Sequence, residues 1–347
     1  MKSIYDLTYE QLEEMVLEHG WKKYRSKQLF QWLYRKRVTT WNQMSDIPSE
    51  MQETLGQEFS FKPIDLLSKQ VSSDGTRKYL FSLEDGATVE TVLMRYSYGN
   101  CVCVTSQVGC NMGCSFCASG LLKKKRDLTA GEIVQQVLMV QKDLDVDEDR
   151  VSHIVVMGIG EPFDNYDNVL DFCKSVNHDS GLGIGARHIT ISTCGIVPMI
   201  RRFADERRQY NLAISLHAPN DELRNTLMPI NKAYPLVELI DALRYYCSIN
   251  NRRLSFEYIL LKDINDSEKC AKQLAALTRG FDVFVNLIPY NQVDEHGYKT
   301  VDNKGAMKFY DLLMKLNVRC TLRQEHGADI DAACGQLRAK HERRKQL

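Results

Sequence analysis

Cys103-Val-Thr-Ser-Gln-Val-Gly-Cys110-Asn-Met-Gly-Cys114-Ser-Phe-Cys117 is the stretch on which the reading of the chain turns. A β-rich run leads into a glycine-containing loop, and the loop carries three thiols spaced Cys110-x-x-x-Cys114-x-x-Cys117. A four-iron cubane normally takes four thiolate ligands. Three ligands leave one iron with an open coordination position, and an open position is where a metal site does chemistry. Two other readings stand beside this one. Zinc would need a fourth ligand such as Cys101, Cys103 or a histidine, and structural zinc sites usually pair two short Cys or His motifs, of which no clear second follows. The third reading is chance clustering of buried cysteines acting as small hydrophobes, for which three thiols within eight residues are unusually dense.

Working outward, the 347 residues suffice for one large α/β domain with a smaller appendage. Hydrophobic residues make up 44% and charged residues 26%, as in a soluble globular protein. No apolar run approaches membrane-spanning length, and Met1-Lys-Ser-Ile-Tyr-Asp6 lacks a signal-peptide core. Eleven cysteines without an export signal point to a reducing cytoplasm, where thiols serve metals or catalysis. Lys+Arg and Asp+Glu are both 45, so overall charge does not announce a nucleic-acid partner. The basic residues are clustered all the same: Lys123 to Arg126 beside the cysteine loop, then Arg201, Arg202, Arg207 and Arg208, then Arg338, Lys340 and Arg343 to Lys345 in the tail. Such runs are most often solvated helix faces. The first adjoins the metal loop and is the strongest candidate for tracking phosphates.

Residues 1 to about 60 read as short helices. Thr8-Tyr-Glu-Gln11 fits a capping box, and Ser26 is placed to cap a second helix. The segment mixes basic and aromatic residues, which suits either a packing module or a surface for structured RNA. Residues 65–95 look β-rich, with turns at Ser73-Asp74-Gly75 and Glu84-Asp85-Gly86. Strand-like runs then recur at 101–106, 151–157, 187–193, 211–216, 254–261, 283–288 and 318–323, separated by helical patterns such as the one opened by Thr129-Ala-Gly-Glu132. This alternation predicts βαβ units, a parallel sheet and a partial barrel, whose chemistry gathers at the C-terminal strand ends. Several of those ends carry polar groups: Gly160-Glu161-Pro162, Ser192, Ser215 to His217, and Pro289-Tyr290-Asn291. Near the C-terminus, Cys334 lies among small residues and precedes a glycine. Cys103 points toward the sheet interior by strand alternation.

Taken together, Ser-Gln-Val-Gly-Cys110, Gly160-Glu161-Pro162, Ser215-Leu-His-Ala-Pro-Asn220 and Asp329-Ile-Asp-Ala-Ala-Cys334-Gly-Gln-Leu337 resemble the radical S-adenosylmethionine (SAM) enzymes. Within these they resemble the RlmN family of dual-specificity adenine-C2 methyltransferases of 23S rRNA and tRNA. The resemblance runs over nearly the whole chain. It implies an α/β fold: a partial (β/α)6 TIM-like radical SAM barrel with a small N-terminal helical accessory domain. The implied divisions are an RNA-docking helical domain at 1–60, a β-rich linker or extension at 61–95, the core barrel at 96–330, and a C-terminal segment at 331–347 with a catalytic cysteine and basic tail. It implies a [4Fe–4S] cluster on Cys110, Cys114 and Cys117, with SAM chelated at the open iron and two SAM consumed per turnover. Gly160, Glu161, Ser192, Ser215, Leu216, His217 and Asn291 match SAM-contacting positions. Cys334 matches the cysteine that SAM first methylates, Cys103 the second catalytic cysteine, and Glu90 the proton acceptor. From the residues alone Glu90 reads as an exposed strand carboxylate. The implied partners are 23S rRNA, tRNA and an electron donor of flavodoxin or ferredoxin type, for a cytoplasmic monomer without membrane contact.

Chemistry supports this division of labour. The C2 carbon of adenine is electron-poor and cannot attack a sulfonium methyl group as an amine can. A 5′-deoxyadenosyl radical that takes hydrogen from a methyl on Cys334 removes the difficulty, and the resulting carbon radical adds to adenine. Attack by Cys103 on the Cys334 sulfur then frees the product and leaves a transient disulfide. The related adenine-C8 methyltransferases carry Gly-Glu-Ala where this chain has Gly160-Glu161-Pro162, and Gln-Cys-Gly-Cys where it has Gln107-Val-Gly-Cys110; both differences favour C2. A zinc-containing RNA-binding protein and a redox-sensing Fe–S regulator are the alternatives from other classes.

Overall fold

The structure is a computed structural model that describes residues 1–121, 123–280, 282–292, 296–323, 326–327, 329–330 and 337. Cys334 and the basic tail residues Arg338, Lys340 and Arg343 to Lys345 lie outside the described residues.

Ten strands form one sheet whose spatial order is the chain order. They are β1 (Asp65–Val71), β2 (Arg77–Ser82), β3 (Thr88–Tyr96), β4 (Gly99–Cys103), β5 (Val151–Val156), β6 (Ile189–Thr193), β7 (Asn211–Ser215), β8 (Leu254–Leu260), β9 (Val283–Pro289) and β10 (Cys320–Leu322). The first four pair antiparallel through hairpins. The two turns are those that the Asp-Gly pairs predict: Ser72 N–H bonds the Thr76 carbonyl, and Leu83 N–H the Ala87 carbonyl. From β4 onward every pairing is parallel. Parallel neighbours need crossover helices. These are α4 (Ala130–Leu144), α5 (Tyr166–Asn177), α6 (Val197–Asp205), α7 (Asp221–Leu227) with α8 (Leu236–Ile249), α9 (Glu268–Leu277) and α10 (Asn303–Lys315). Among the described residues, seven parallel strands with six crossovers make the expected partial barrel, and β10 at its edge pairs with β9 alone.

Local chemistry sets the helix starts. Thr129 and Glu132 cap α4 reciprocally, and the following apolar positions Ile133, Val134, Val137 and Leu138 face the core. In the N-terminal segment, α1 (Tyr9–Glu18) is capped by the Thr8–Gln11 box. Helix α2 runs over Tyr24–Gln31, so Ser26 lies inside it and is not its cap; the hydroxyl bonds back to the Lys23 carbonyl at 2.6 Å. Helix α3 spans Ser49–Glu58.

One continuous hydrophobic core joins these three helices to the barrel. Gly131 on α4 marks the junction. Its N–H donates to Asp6 Oδ1 at 2.9 Å, and a Cβ there would stand 2.7 Å from that oxygen. Tyr9 stacks on His178 at 3.9 Å, and Arg35 donates to the Gly181 carbonyl. Much of the basic and aromatic N-terminal character is therefore spent on docking: Tyr34 is wholly buried, and Arg37 pairs with Asp145. Among the described residues, no helix is long and apolar enough to cross a membrane.

Candidate active site

A cavity of about 350 Å³ opens at the C-terminal ends of the parallel strands, lined by Cys110, Cys114 and Cys117 on one side and by Gly160, Glu161, Ser192, Ser215, His217 and Asn291 on the other. The cysteine loop leaves β4 and is held from several directions. Ser115 N–H donates to the Leu227 carbonyl at the end of α7. Tyr298 and Ser115 share a hydrogen bond of 2.7 Å, and His296 lies 3.3 Å from the Cys117 carbonyl. Burial and neighbouring acidic groups push the Cys110 thiol up to about 11 and Cys114 higher still. Thiols of this kind can hold a metal only by giving up their protons. The three thiols of the loop face one cavity, which Cys194 at the β6 exit also lines; a cubane held by the three loop thiols alone would keep one corner for a ligand. Among the described residues, no three His, Cys, Asp or Glu side chains are gathered closely enough for a single metal ion.

The opposite wall is made by strand exits. Gly160 has φ +110, and a Cβ there would come within 2.7 Å of Gln107, so glycine is required for this approach. Gln107 Oε1 accepts the Glu161 N–H at 2.8 Å, while its amide donates to Asp127 and Asp164. The Glu161 carboxylate is buried and accepts N–H bonds from Cys194 at 2.7 Å and Phe163 at 3.0 Å. Burial raises its pKa, and the hydrogen bonds oppose the rise. A ligand ammonium beside it would restore full ionisation. Ser192 and Ser215 sit side by side on adjacent strands, 3.4 Å apart.

His217 adopts a left-handed backbone at φ +55. Its Nδ1 accepts the Ile259 N–H at 3.1 Å, and its carbonyl accepts from Asn265. Its ring meets Phe116 of the cysteine loop edge-on at 4.9 Å. Burial, helped by the Arg224 charge, pulls its pKa down to about 3, so the ring is neutral with its proton on Nε2.

Not every expected site residue lines the cavity. Leu216 is not among the lining residues: its side chain belongs to the core, its N–H donates to the Glu257 carbonyl and its carbonyl accepts from Arg224. Cys103 is buried beside Val92, which lines the cavity. Glu90 is not exposed but 4% accessible. It shares the face of Val92 and Met94 by strand alternation, and it forms an ion pair of 2.9 Å with Lys78, itself fully buried. Thr105 fixes the strand by donating to the Glu90 carbonyl at 2.6 Å.

Sequence reasoning passed over Lys78, Arg224 and Glu257. Arg224 is wholly buried and donates to the carbonyls of Cys194 and Leu216 and to Asn231, which ties two strand exits to the turn after α7. A lone arginine on a helix gives no local signal for that role. The basic run beside the metal loop is mostly a clamp. Lys124 pairs with Asp127 and Asp164, and Arg126 with Asp85 and Glu132.

This barrel, with three thiols and a glycine–glutamate cradle facing one cavity, is that of a radical SAM enzyme, and residues 104–273 match the model of that superfamily. Residues 2–60 match the N-terminal domain model of the ribosomal RNA large-subunit methyltransferases. The chain belongs to the RlmN family of RNA methyltransferases. It is 56% identical over 347 residues to a probable dual-specificity RNA methyltransferase RlmN of Listeria welshimeri, covering 99% of this chain and 95% of the relative. A protein of the same description from Streptococcus thermophilus is 54% identical, with 99% and 91% covered. The crystal structure of a radical SAM methyltransferase from Sphaerobacter thermophilus superposes with a TM-score of 0.92 at 41% identity, covering 97% of this chain and 99% of that one.

Proposed function

We propose that this enzyme methylates C2 of adenosine in 23S rRNA, at the peptidyl transferase centre, and of adenosine 37 in tRNA anticodon loops. The observation that carries the reading is the convergence of Cys110, Cys114 and Cys117 with Gly160, Glu161 and Ser215 on one cavity, whose wall continues through Val92 to the Cys103 strand. A [4Fe–4S] cluster on the three thiolates, when bound, supplies the electron that splits SAM to methionine and a 5′-deoxyadenosyl radical.

The chain's own residues do the rest. Glu161 takes the amino group of SAM, and Ser192, Ser215, the Leu216 backbone, His217 and Asn291 orient its remainder. Cys334 receives a methyl from a first SAM, loses one hydrogen atom from it, and carries the carbon to adenine C2. Glu90 accepts the former ring proton. Once the adduct has also given back one electron, the Cys103 thiolate attacks the Cys334 sulfur, the carbon–sulfur bond breaks, the released carbon takes up a proton to become the methyl group, and a Cys103–Cys334 disulfide remains that an external reductant must reopen. In this reading residues 1–60 help dock RNA, 61–95 extend the sheet, 96–330 hold the chemistry and 331–347 deliver Cys334. The protein works as a cytoplasmic monomer fed by a flavodoxin or ferredoxin.

Anaerobic incubation of the reconstituted enzyme with reductant, SAM and protein-free rRNA, followed by nucleoside analysis, tests this. 2-Methyladenosine is the expected product. 8-Methyladenosine as the main product would overturn the regiochemistry, and unmodified RNA would overturn the function.

A further inference from the structure

Because β4 to β10 run parallel, all their N-terminal ends lie on one rim, opposite the cluster cavity. Barrel rims of this kind normally serve stability. Here the loops entering β6 to β10 are unusually rich in arginine. Arg187 precedes β6, Arg207 and Arg208 precede β7, Arg252 and Arg253 precede β8, Arg279 precedes β9 and Arg319 precedes β10. The same loops hold only Asp179, Glu206 and Asp282 as described carboxylates. Glu206 pairs with Arg208 and Asp282 with Arg319. Arg187, Arg207, Arg252, Arg253 and Arg279 form no ion pair with a described residue. Favourable interaction with helix C-termini accounts for one cation per loop at most, not for Arg252 and Arg253 at the start of a strand.

Three of these arginines, Arg252, Arg253 and Arg319, meet Arg244 of α8 in a cavity of about 640 Å³, with Asp282 as its one described carboxylate. The Arg252 Nε is buried there without a hydrogen-bond partner. By contrast, the loop entering β5 is acidic, and its Asp145 and Asp147 are already matched by Arg37, Arg77 and Arg95. The positive arc is thus confined to one side of the rim.

A line of rings completes that rim. Tyr96 and Tyr98 stack at 4.8 Å, Tyr98 meets His153 edge-on at 5.0 Å, and His153 stacks on His188 at 4.4 Å. Tyr98 is 62% exposed. Burial and the neighbouring His188 pull the His153 pKa down. The N-terminal helices reach the same place, since Tyr9 and Arg35 grip the loop that carries Arg187. Glu257, which lines the cavity, is bonded to Ser255 and Asn286 on the strands that run back toward the rim.

The geometry points to the N-terminal rim as the seat of the RNA substrate: the arginine arc holds the phosphodiester backbone, and the ring line stacks unpaired bases flanking the target. This rests on the RNA methyltransferase reading. Exposed guanidiniums without protein partners suit phosphate, and exposed rings beside them suit single-stranded bases.

The test is equilibrium binding of protein-free tRNA to the cluster-loaded full chain across a series of salt concentrations. Arg187→Ala, Arg207→Ala, Arg253→Ala and Arg279→Ala should each weaken binding and flatten the plot of log affinity against log salt by about one unit. Tyr98→Ala and His188→Ala should weaken binding roughly 5- to 100-fold with the slope unchanged. Lys123→Ala with Lys125→Ala, at the opposite end of the barrel, should leave the slope as it was. An unchanged slope in the combined four-arginine variant, or a slope that falls only in the lysine variant, would overturn the rim. Binding is read whether or not product forms. Loss of the rim therefore leaves the methylation reading standing, and absence of methyladenosine with the parent enzyme condemns that reading separately.

Discussion

At Glu161 the fold holds a buried carboxylate where the proposed reading needs one for the SAM amino group. Its two N–H donors hold the carboxylate in place, and burial leaves it short of positive charge. Glu161→Gln keeps the shape and removes the charge. SAM affinity in the cluster-loaded protein should fall about tenfold to a hundredfold while iron content is retained; titration calorimetry reads this, and unchanged affinity would contradict the assignment. Lys78 and Glu90 invite a thermodynamic cycle. Lys78→Met strands a buried carboxylate and should cost about 3–5 kcal/mol in denaturant unfolding, whereas Lys78→Met with Glu90→Leu should recover most of that loss. A single variant as mild as the double would show that the pair is not a buried ion pair in solution. His217 gives a pH signature. Its folded pKa is about 3, below the ordinary histidine value, so the unfolded chain binds the extra proton. Its contribution to stability is therefore full above about 6.5 and is lost as pH falls toward 3, with a slope of at most about 1.4 kcal/mol per pH unit. Glu161 and Glu257, whose pKa values are raised by burial, tilt the other way. The difference between parent and His217→Asn is the quantity to measure, in metal-free protein between pH 5 and 7, and parallel pH curves would refute it. At this scale the three thiols were legible because one short loop holds them. Lys78 was not, because only strand register brings it to Glu90.

The elements were legible where their chemistry is local. Capping boxes at Thr8 and Thr129, Asp-Gly turns and alternating apolar runs placed helices and strands where the structure has them. The failures were also local. Ser26 looks like a cap but bonds backward inside α2, and Lys124 and Arg126 look like a phosphate surface but meet carboxylates brought from other elements. Strand exits are where sequence says least, because their meaning depends on which neighbour faces them. Gly160 is the sharpest case. A Cβ would collide with Gln107 and Ser106, so Gly160→Ala should shift the loop, lower stability by about 1–3 kcal/mol and weaken SAM binding. Denaturant unfolding with SAM titration checks this, and a neutral substitution would mean that the loop does not need its positive φ.

At the scale of the molecule, the order of strands in the sheet follows the order in the chain. A reading of β–α alternation therefore recovers the barrel without long-range information. What it cannot recover is the antiparallel extension β1 to β3, which brings Glu90 to the Cys103 strand, or the docking of the N-terminal helices through Gly131. Together these place a metal loop at one end of an open barrel and an arginine-lined rim at the other. The central claim is that the cavity between them methylates RNA by radical chemistry, and counting products tests it most directly. Anaerobic turnover should yield 5′-deoxyadenosine and methyladenosine in equal amounts, with S-adenosylhomocysteine from the methylation of Cys334 matching both. Methyladenosine accompanied by S-adenosylhomocysteine alone would contradict it.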